Sequence, residues 1–137
     1  MFHAHVCMHC STLLKQVSTK KGKKGEDAAC QYLKRHGYEF IDRNRRLARG
    51  EIDIVAVKDD VLVFVEVKSH QQRDAGLLAM HADKCERITS AAKTWLGLHE
   101  QYAKFQCRFD LVLVKPQKFS FWPSDIDIEH MQDMIRL

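Results

Sequence analysis

The sequence predicts an α/β fold in which helices cover a central mixed β-sheet. Helix-like and strand-like segments alternate along the chain, which is the pattern of a layered α/β domain. The two strand-like runs within residues 51–68 are apolar on both faces over most of their length, as expected for covered central strands. A length of 137 residues suits one domain. We therefore expect a tail over residues 1–19 and a single domain over 20–137.

Residues 25–99 are predicted to contain two helices, a short strand and a hairpin. Residues 25–36 are predicted to form a helix that Gly37 ends. A short strand is predicted at 38–41, and residues 51–68 form a hairpin. A second helix is predicted over about residues 80–99. The apolar stripe of this helix comprises Ile88, Ala91, Ala92, Trp95 and either Leu98 or His99.

The remaining segments are connections and strands. A polar connection is predicted at 69–78, between the hairpin and the second helix. Residues 108–115 are predicted to form a strand that ends at Pro116. A further short strand is predicted at 119–122. Residues 126–137 are predicted to begin as a strand and to turn into a short helix.

Positive charge is concentrated before the hairpin. The net charge is +4, and residues 15–49 hold 11 Lys and Arg against 4 Asp and Glu. Such clusters attract polyphosphates, although a solvated, solubilising face is the alternative interpretation. The candidate nucleic-acid-binding residues in these clusters are Lys23, Lys24, Arg43, Arg45, Arg46 and Arg49.

Membrane and secretory signals are not found in the sequence. No apolar stretch approaches the roughly 18 residues that span a bilayer. The first residues lack the basic segment and the longer apolar core of a secretory signal. The five cysteines are an odd number without the spacing of a disulfide framework. We therefore predict a cytoplasmic protein without a membrane partner.

The segment HAHVCMHC, residues 3–10, contains side chains that can bind zinc. Cys7 and Cys10 form a CxxC motif with three histidines nearby. A second paired cluster is missing, so a tail is favoured over a structural zinc site. The remaining cysteines are predicted to be small buried residues, and they are Cys30, Cys85 and Cys107.

Charged residues lie inside the strands of the hairpin. With the turn centred on residues 59–60, Asp53 faces Glu66 and Glu51 faces Lys68. Like charges directly opposite each other destabilise a sheet. A divalent cation shared by two carboxylates would offset that cost, and oxygen ligands suit Mg²⁺ or Mn²⁺. Asp53 and Glu66 are therefore the first candidate metal ligands.

Three more charged side chains are predicted to converge on this pair. Lys68 projects from the same face as Glu66, where it can orient water or stabilise charge on phosphorus, and a plain ion pair is the alternative. Glu26 points towards the sheet and Asp27 towards water, although a helix-dipole role would also suit a glutamate there. Lys84 extends the buried stripe of the second helix, where it meets a phosphate or merely snorkels to solvent.

Residues 25–69, GEDAACQYLKRHGYEFIDRNRRLARGEIDIVAVKDDVLVFVEVKS, closely resemble the YraN-like family of predicted bacterial endonucleases. The resemblance runs from about residue 22 to the end of the chain, and RFDLVLV (108–114) shares it. The family is similar in turn to archaeal Holliday-junction resolvases and to PD-(D/E)XK nucleases. The likeness implies a restriction-endonuclease-like fold, Asp53 and Glu66 as metal ligands, Lys68 as the catalytic lysine, and Glu26 as the residue that completes the site.

Two departures from the wider pattern are visible. Ile52 replaces the proline of the PD element, which is usual for this family and leaves the chemistry unchanged. Ser69 and His70 stand where the family often has a basic pair, which affects substrate contact rather than metal binding.

The sequence leaves two alternative functions, of which the first is favoured. The first is a metal-dependent nuclease acting on DNA rather than RNA, with branched and single-stranded DNA as candidate substrates and a homodimer as a candidate assembly. The second is a nuclease-fold module that binds nucleic acid or a protein partner with little turnover.

Overall fold

The computed structural model describes residues 20–69, 82–116 and 126–135. In chain order, these contain α1 (Lys20–Arg35), β1 (Glu39–Leu47), β2 (Gly50–Lys58), β3 (Val61–Ser69), α2 (Ala82–Leu98), a 3₁₀ turn (Glu100–Tyr102), β4 (Gln106–Pro116) and β5 (Ile126–Ile135). The described strands form one five-stranded sheet in the order β1-β2-β3-β4-β5. Strands β3 and β4 run parallel, and the other neighbours are antiparallel. The predicted α/β fold with a central mixed sheet is confirmed, and it is compatible with a restriction-endonuclease-like fold.

The two helices cover opposite faces of the sheet. On the α1 side, Ala29 and Leu33 pack on strand residues that include Val63 and Val65. On the α2 side, the buried residues are Ile88, Ala91, Ala92 and Trp95 from the helix, and Leu62, Phe64 and Phe109 from the strands. Successive residues of β3 therefore enter opposite cores, which explains why this strand is apolar on both faces. Each fully buried large apolar side chain stabilises the fold by about 1.5–3 kcal/mol.

The hairpin adopts the predicted register. Its paired residues run from Ile54–Val65 to Lys58–Val61. Asp59 and Asp60 form the turn with φ angles of 50° and 60°. Positive φ at both central residues is typical of the type I′ turn, whose twist matches that of the strands, and aspartate tolerates this conformation. The turn therefore fixes which residues follow the last pair, and these are Asp53 and Glu66.

The ends of the first two elements differ from the prediction. Helix α1 begins at Lys20 rather than at residue 25, because the lysines before Gly25 are good helix formers. Gly37 ends the helix as predicted, with a φ of 83° and its N–H donating to the carbonyl oxygen of Lys34. Strand β1 covers Glu39–Leu47, much more than the predicted 38–41, because it pairs with β2 from Glu39 to Leu47.

The C-terminal prediction was partly wrong. Ile126–Ile135 is a strand throughout, without the predicted short helix, because it pairs with β4 along its length. In α2, Leu98 is 63% exposed, whereas the ring of His99 stacks on Trp95 at 3.9 Å, so His99 completes the apolar stripe. The predicted tail at 1–19, the short strand at 119–122 and most of the polar connection at 69–78 lie outside the described residues.

Within the described residues, neither helix combines the length and the apolar character that crossing a bilayer requires.

Candidate active site

The candidate site begins where the paired stretch of β2 and β3 ends. Ile54 and Val65 form the last pair in this direction. Asp53 follows on β2, and its Oδ2 accepts a 2.7 Å hydrogen bond from the backbone N–H of Val67. A side-chain carboxylate therefore replaces a main-chain carbonyl as the acceptor between the two strands. This hydrogen bond holds the carboxylate of Asp53 between β2 and β3, just beyond their last paired residues.

Strand β1 is irregular beside Asp53. Asn44 lies between the pairs Arg43–Ile54 and Arg45–Ile52, so it is opposite Asp53, and its φ is 51°. Asparagine is one of the few residues other than glycine that adopt this conformation readily. Beyond the irregularity, Ile52 packs in the α2-side core, although Ile54 packs in the α1-side core. Simple alternation along an extended strand would place both isoleucines on one face, so β2 departs from regular alternation between Ile52 and Ile54.

Glu66 is the meeting point of two lysines. Its Oε1 lies 2.7 Å from Nζ of Lys68 and 2.9 Å from Nζ of Lys84. The ion pair that was the alternative interpretation of Lys68 is therefore present, and Lys84 reaches the site from the first turn of α2. The prediction that Glu51 faces Lys68 was wrong, because Glu51 does not join this cluster. It is exposed and contacts Arg46 at 3.4 Å.

Glu26 approaches the site from α1. Its side chain is 14% exposed, against 48% for the adjacent Asp27, which confirms the predicted orientation of both. Among the described residues, Oε2 of Glu26 is buried without a hydrogen-bond partner. The guanidinium of Arg43 lies 3.6 Å from it and donates its hydrogen bond to Asp27 instead. A buried carboxylate oxygen in this state is costly to the fold unless another group satisfies it.

The electrostatics link the three carboxylates. Burial raises the pKa of Asp53 to about 7, and the negative charges of Glu66 and Glu26 add to this effect. The hydrogen bond from Val67 and the charge of Lys68 oppose the increase without cancelling it. Burial also works against the charged form of Lys68, but Glu66 holds the pKa of Lys68 above its ordinary value. The site therefore contains a charged lysine, Lys68, paired with Glu66, while Asp53 lacks enough nearby positive charge to stabilise its ionised form.

The donor set suits a divalent cation in its chemistry. Asp53, Glu66 and Glu26 would hold the ion, and the unsatisfied oxygen of Glu26 and the raised pKa of Asp53 are the features that a cation would relieve. The residues are not assembled for binding as they stand. Within the ranges that the structure describes, no three His, Cys, Asp or Glu side chains are grouped closely enough to hold a metal ion.

The candidate nucleic-acid-binding residues are of two kinds. Lys23 and Lys24 are exposed on α1, and Arg49 is exposed in the turn between β1 and β2. Arg45 and Arg46, by contrast, form ion pairs with Asp42 and Glu51, and Arg43 is engaged with Glu26 and Asp27. The exposed residues are available to a phosphate backbone directly, whereas the paired arginines would have to exchange partners.

The predicted burial of the cysteines was wrong in degree. Cys30, Cys85 and Cys107 are of intermediate burial rather than fully buried. Cys7 and Cys10, and with them the zinc question, lie outside the described residues.

Sequence reasoning missed a second buried carboxylate, Asp110 on β4. Its side chain is fully buried, and Arg108 binds both of its oxygens at 2.9 Å. His130 Nε2 lies 2.8 Å from Oδ2, and the backbone N–H of Asp133 donates to Oδ1 at 3.0 Å. A detectable signal existed, because residues 108 and 110 share one face of a strand and have opposite charges.

Fold and site together define a class of protein. It is an α/β protein with a mixed sheet compatible with the restriction-endonuclease-like fold, and a cluster of carboxylates and lysines lies at the end of its central hairpin.

Comparison with known proteins identifies the family. The model of the uncharacterised protein family UPF0102 matches residues 25–114. A UPF0102 protein of Rhodopseudomonas palustris is 36% identical over 106 residues, covering 77% of this chain and 82% of the relative. The UPF0102 protein of Prosthecochloris aestuarii is 38% identical over 115 residues, covering 82% and 90%. One from Pseudomonas aeruginosa is 37% identical over 102 residues, covering 73% and 82%.

This chain belongs to the UPF0102 family, which is the YraN-like family that the sequence resembles. The prediction of family membership is therefore confirmed. The names of the relatives state no activity, so the function rests on the site itself.

Proposed function

We propose that this protein is a divalent-metal-dependent nuclease that hydrolyses phosphodiester bonds in DNA in the cytoplasm. The observation that carries the proposal is the carboxylate of Asp53, whose pKa is raised by burial and by the charges of Glu66 and Glu26, near the charged amine of Lys68. Such a cluster costs stability, and perturbed carboxylates of this kind concentrate at functional sites. When bound by the three carboxylates, Mg²⁺ or Mn²⁺ would polarise the phosphate and make hydroxide available.

The residues of the chain would divide the remaining work. Lys68 keeps its positive charge because Glu66 holds its pKa high, so it can donate hydrogen bonds to the negative charge that builds on the phosphate oxygens. The hydrogen bond from Val67 orients Asp53 without a further side chain. Lys23, Lys24 and Arg49 would contact the DNA backbone, which makes binding strongly dependent on salt.

Branched and single-stranded DNA are the substrates that we propose. The resemblance to resolvases supports DNA over RNA, and it supports a homodimer, since paired cuts in a branched substrate require two sites. The partly paired arginines of β1 fit a substrate whose backbone replaces their carboxylate partners.

Calorimetric titration of Mn²⁺ into metal-free protein tests the proposal first. Wild type should bind in the micromolar to millimolar range, and Asp53→Asn should not, because a neutral amide is a poor replacement for a charged ligand. Retained binding in Asp53→Asn would contradict the assignment of the site. Absence of binding in wild type, with and without DNA, would contradict the metal-dependent mechanism.

Cleavage assays then test the chemistry. Asp53→Ala, Glu66→Ala and Lys68→Ala should each abolish cleavage of labelled single-stranded, duplex and branched DNA, while binding to DNA survives. Because the three residues act on one reaction centre, the losses should be alike and should not add. Cleavage by any of these variants at the wild-type rate would exclude the substituted residue from the site.

A binding module is the second candidate function. The observation that favours it is the pair of salt bridges from Lys68 and Lys84 to Glu66, which neutralise this carboxylate without a metal ion. In such a module, loss of Lys23, Arg45 or Arg46 would reduce partner binding more than loss of Asp53. Measuring DNA affinity and cleavage in both Arg46→Ala and Asp53→Ala separates the two functions. A nuclease would lose cleavage but retain DNA binding in Asp53→Ala, whereas a binding module would show little cleavage in wild type and would lose affinity mainly in Arg46→Ala.

A further inference from the structure

Two ammonium groups meet at one oxygen atom of the site. Nζ of Lys68 lies 2.7 Å from Oε1 of Glu66, and Nζ of Lys84 lies 2.9 Å from the same atom. The two lysines come from different elements, since Lys68 belongs to β3 and Lys84 to the first turn of α2. Like charges this close repel each other, so the arrangement depends on the attraction of both amines to the carboxylate of Glu66.

A divalent cation at Glu66 would remove the reason for this arrangement. The cation and the ammonium groups compete for the same oxygen lone pairs, and a bound cation would repel both amines. The side chain of Lys84 is 32% exposed and has a flexible stem, so it can turn away without leaving a buried charge. Lys68 is bound more tightly, by its shorter contact and its place on the same strand as Glu66.

We propose that Lys84 is a second phosphate-binding residue, held on Glu66 in the metal-free protein and released to a substrate phosphate when a divalent cation binds Glu66. The proposal rests on the proposed function, from which it takes the cation and the DNA. Lys84 differs in this respect from Lys23 and Lys24, which are exposed on α1 without any exchange of partners.

The exchange couples the two ligands of the site. Binding of the cation releases a positive charge for the phosphate, and binding of the phosphate removes a competitor of the cation. By thermodynamic linkage, each ligand then raises the affinity of the other by the same factor. Removal of Lys84 should consequently have opposite effects on the two ligands, with tighter binding of the cation and weaker cation-dependent binding of DNA. A purely structural salt bridge would not produce opposite signs.

The test compares Lys84→Met with Lys93→Met in the full chain. Lys93 is exposed on the same helix, nine residues later and on the opposite side, so its variant loses the same charge at a distance from the site. In Mn²⁺ titrations without DNA, Lys84→Met should bind about three- to tenfold more tightly than wild type, since one charge-assisted contact no longer competes. Lys93→Met should bind as wild type does.

The second arm measures DNA binding to a labelled single-stranded oligonucleotide, with Ca²⁺ or with EDTA. The affinity gained on adding Ca²⁺ should be about three- to tenfold smaller in Lys84→Met than in Lys93→Met, because the variant has no amine that passes from Glu66 to the phosphate when the ion binds. In EDTA the two variants should bind alike. Lys84→Arg retains the charge and should follow wild type in both arms, and Lys84→Gln replaces the methionine variant if circular dichroism shows that it is misfolded.

Each other outcome has a definite meaning. If Lys84→Met binds Mn²⁺ as wild type does, or more weakly, Lys84 is not a competitor and the inference is overturned. The proposed function survives that result as long as wild-type binding depends on Asp53. If neither wild type nor Lys84→Met binds Mn²⁺, with DNA or without it, the inference and the metal-dependent function are both overturned.

Discussion

Two aspartates of the same sheet have opposite electrostatic environments. Asp53 on β2 accepts a backbone hydrogen bond and faces Glu66 and Glu26, and burial raises its pKa to about 7. Burial also disfavours the charged form of Asp110 on β4, yet its hydrogen bonds from His130, Arg108 and the backbone hold its pKa below the ordinary value. Burial alone therefore does not decide whether a carboxylate stabilises this sheet, because the outcome depends on the groups that contact the carboxylate.

The surroundings of Asp110 show what a satisfied carboxylate achieves. The pairing of β4 with β5 shifts between Phe109 and Leu111, so β5 bulges opposite Asp110. Asp133 lies in the bulge with a φ of 57°, and its N–H donates to Asp110. Asp110 thus holds an irregular edge strand in place. Asp53 also lies beside an irregular strand, but its surroundings leave it short of positive charge.

Removing Asp110 should have the largest effect on stability. Asp110→Ala leaves Arg108 without its bidentate partner and frees the bulge of β5, so we expect a loss of about 3–5 kcal/mol. Urea unfolding at pH 7 measures this loss. Asp127→Ala, which removes an exposed aspartate from the same strand pair, should change the free energy of unfolding by less than about 0.5 kcal/mol. A loss below about 1 kcal/mol in Asp110→Ala would break the contrast between the two aspartates.

Divalent cations should act through one aspartate only. At a Mn²⁺ concentration one hundred times the dissociation constant, wild type should gain about 2.7 kcal/mol, because the ion binds the folded state. Asp53→Asn should gain nothing, since the ligand is lost. The destabilised but metal-competent Asp110→Ala should gain as much as wild type, which makes it the control for a general effect of salt. Equal gains in all three proteins would show that the ion binds elsewhere.

Neutralising Asp53 should stabilise the metal-free protein. Between about pH 4 and 7 the folded state keeps a proton that the unfolded chain has released, so the stability of wild type falls as the pH rises. Asp53→Asn removes this term while keeping an oxygen that accepts from Val67. We expect it to be about 1–3 kcal/mol more stable than wild type at pH 8 in EDTA, with the gain shrinking towards pH 4. A variant less stable than wild type at pH 8 would contradict the assigned environment of Asp53.

Local signals account for what the sequence predicted correctly. Asp59 and Asp60 fixed the turn, the turn fixed the register, and the register brought Asp53 next to Glu66. The helical period placed Glu26 towards the sheet because the neighbouring Ala29 and Leu33 must be buried.

Non-local contacts account for what it did not predict. The change of face between Ile54 and Ile52 lies opposite Asn44, whose left-handed backbone belongs to the adjacent strand, so the pattern of β2 alone does not contain it. The strand at Ile126–Ile135 is held by pairing with β4, which no local propensity contains. The contact of Lys84 with Glu66 likewise depends on where α2 begins relative to the sheet.

The smallest expected effect is the response of Asp110 to acid. Its pKa lies below the ordinary value, so its contribution to stability is complete above the unfolded-state value of 3.8 and is lost as the pH falls through the lower folded-state value. Wild type should therefore lose stability below pH 3.8 more steeply than Asp110→Asn, and the difference between the two should narrow with decreasing pH. Urea midpoints measured from pH 5 downwards provide the test.

Asp53→Asn is the control for this prediction. The pKa of Asp53 is raised, so this residue changes its protonation at higher pH, and Asp53→Asn should lose stability below pH 3.8 as steeply as wild type does. If Asp53→Asn, and not Asp110→Asn, showed the shallower loss of stability below pH 3.8, the roles assigned to the two carboxylates would be reversed.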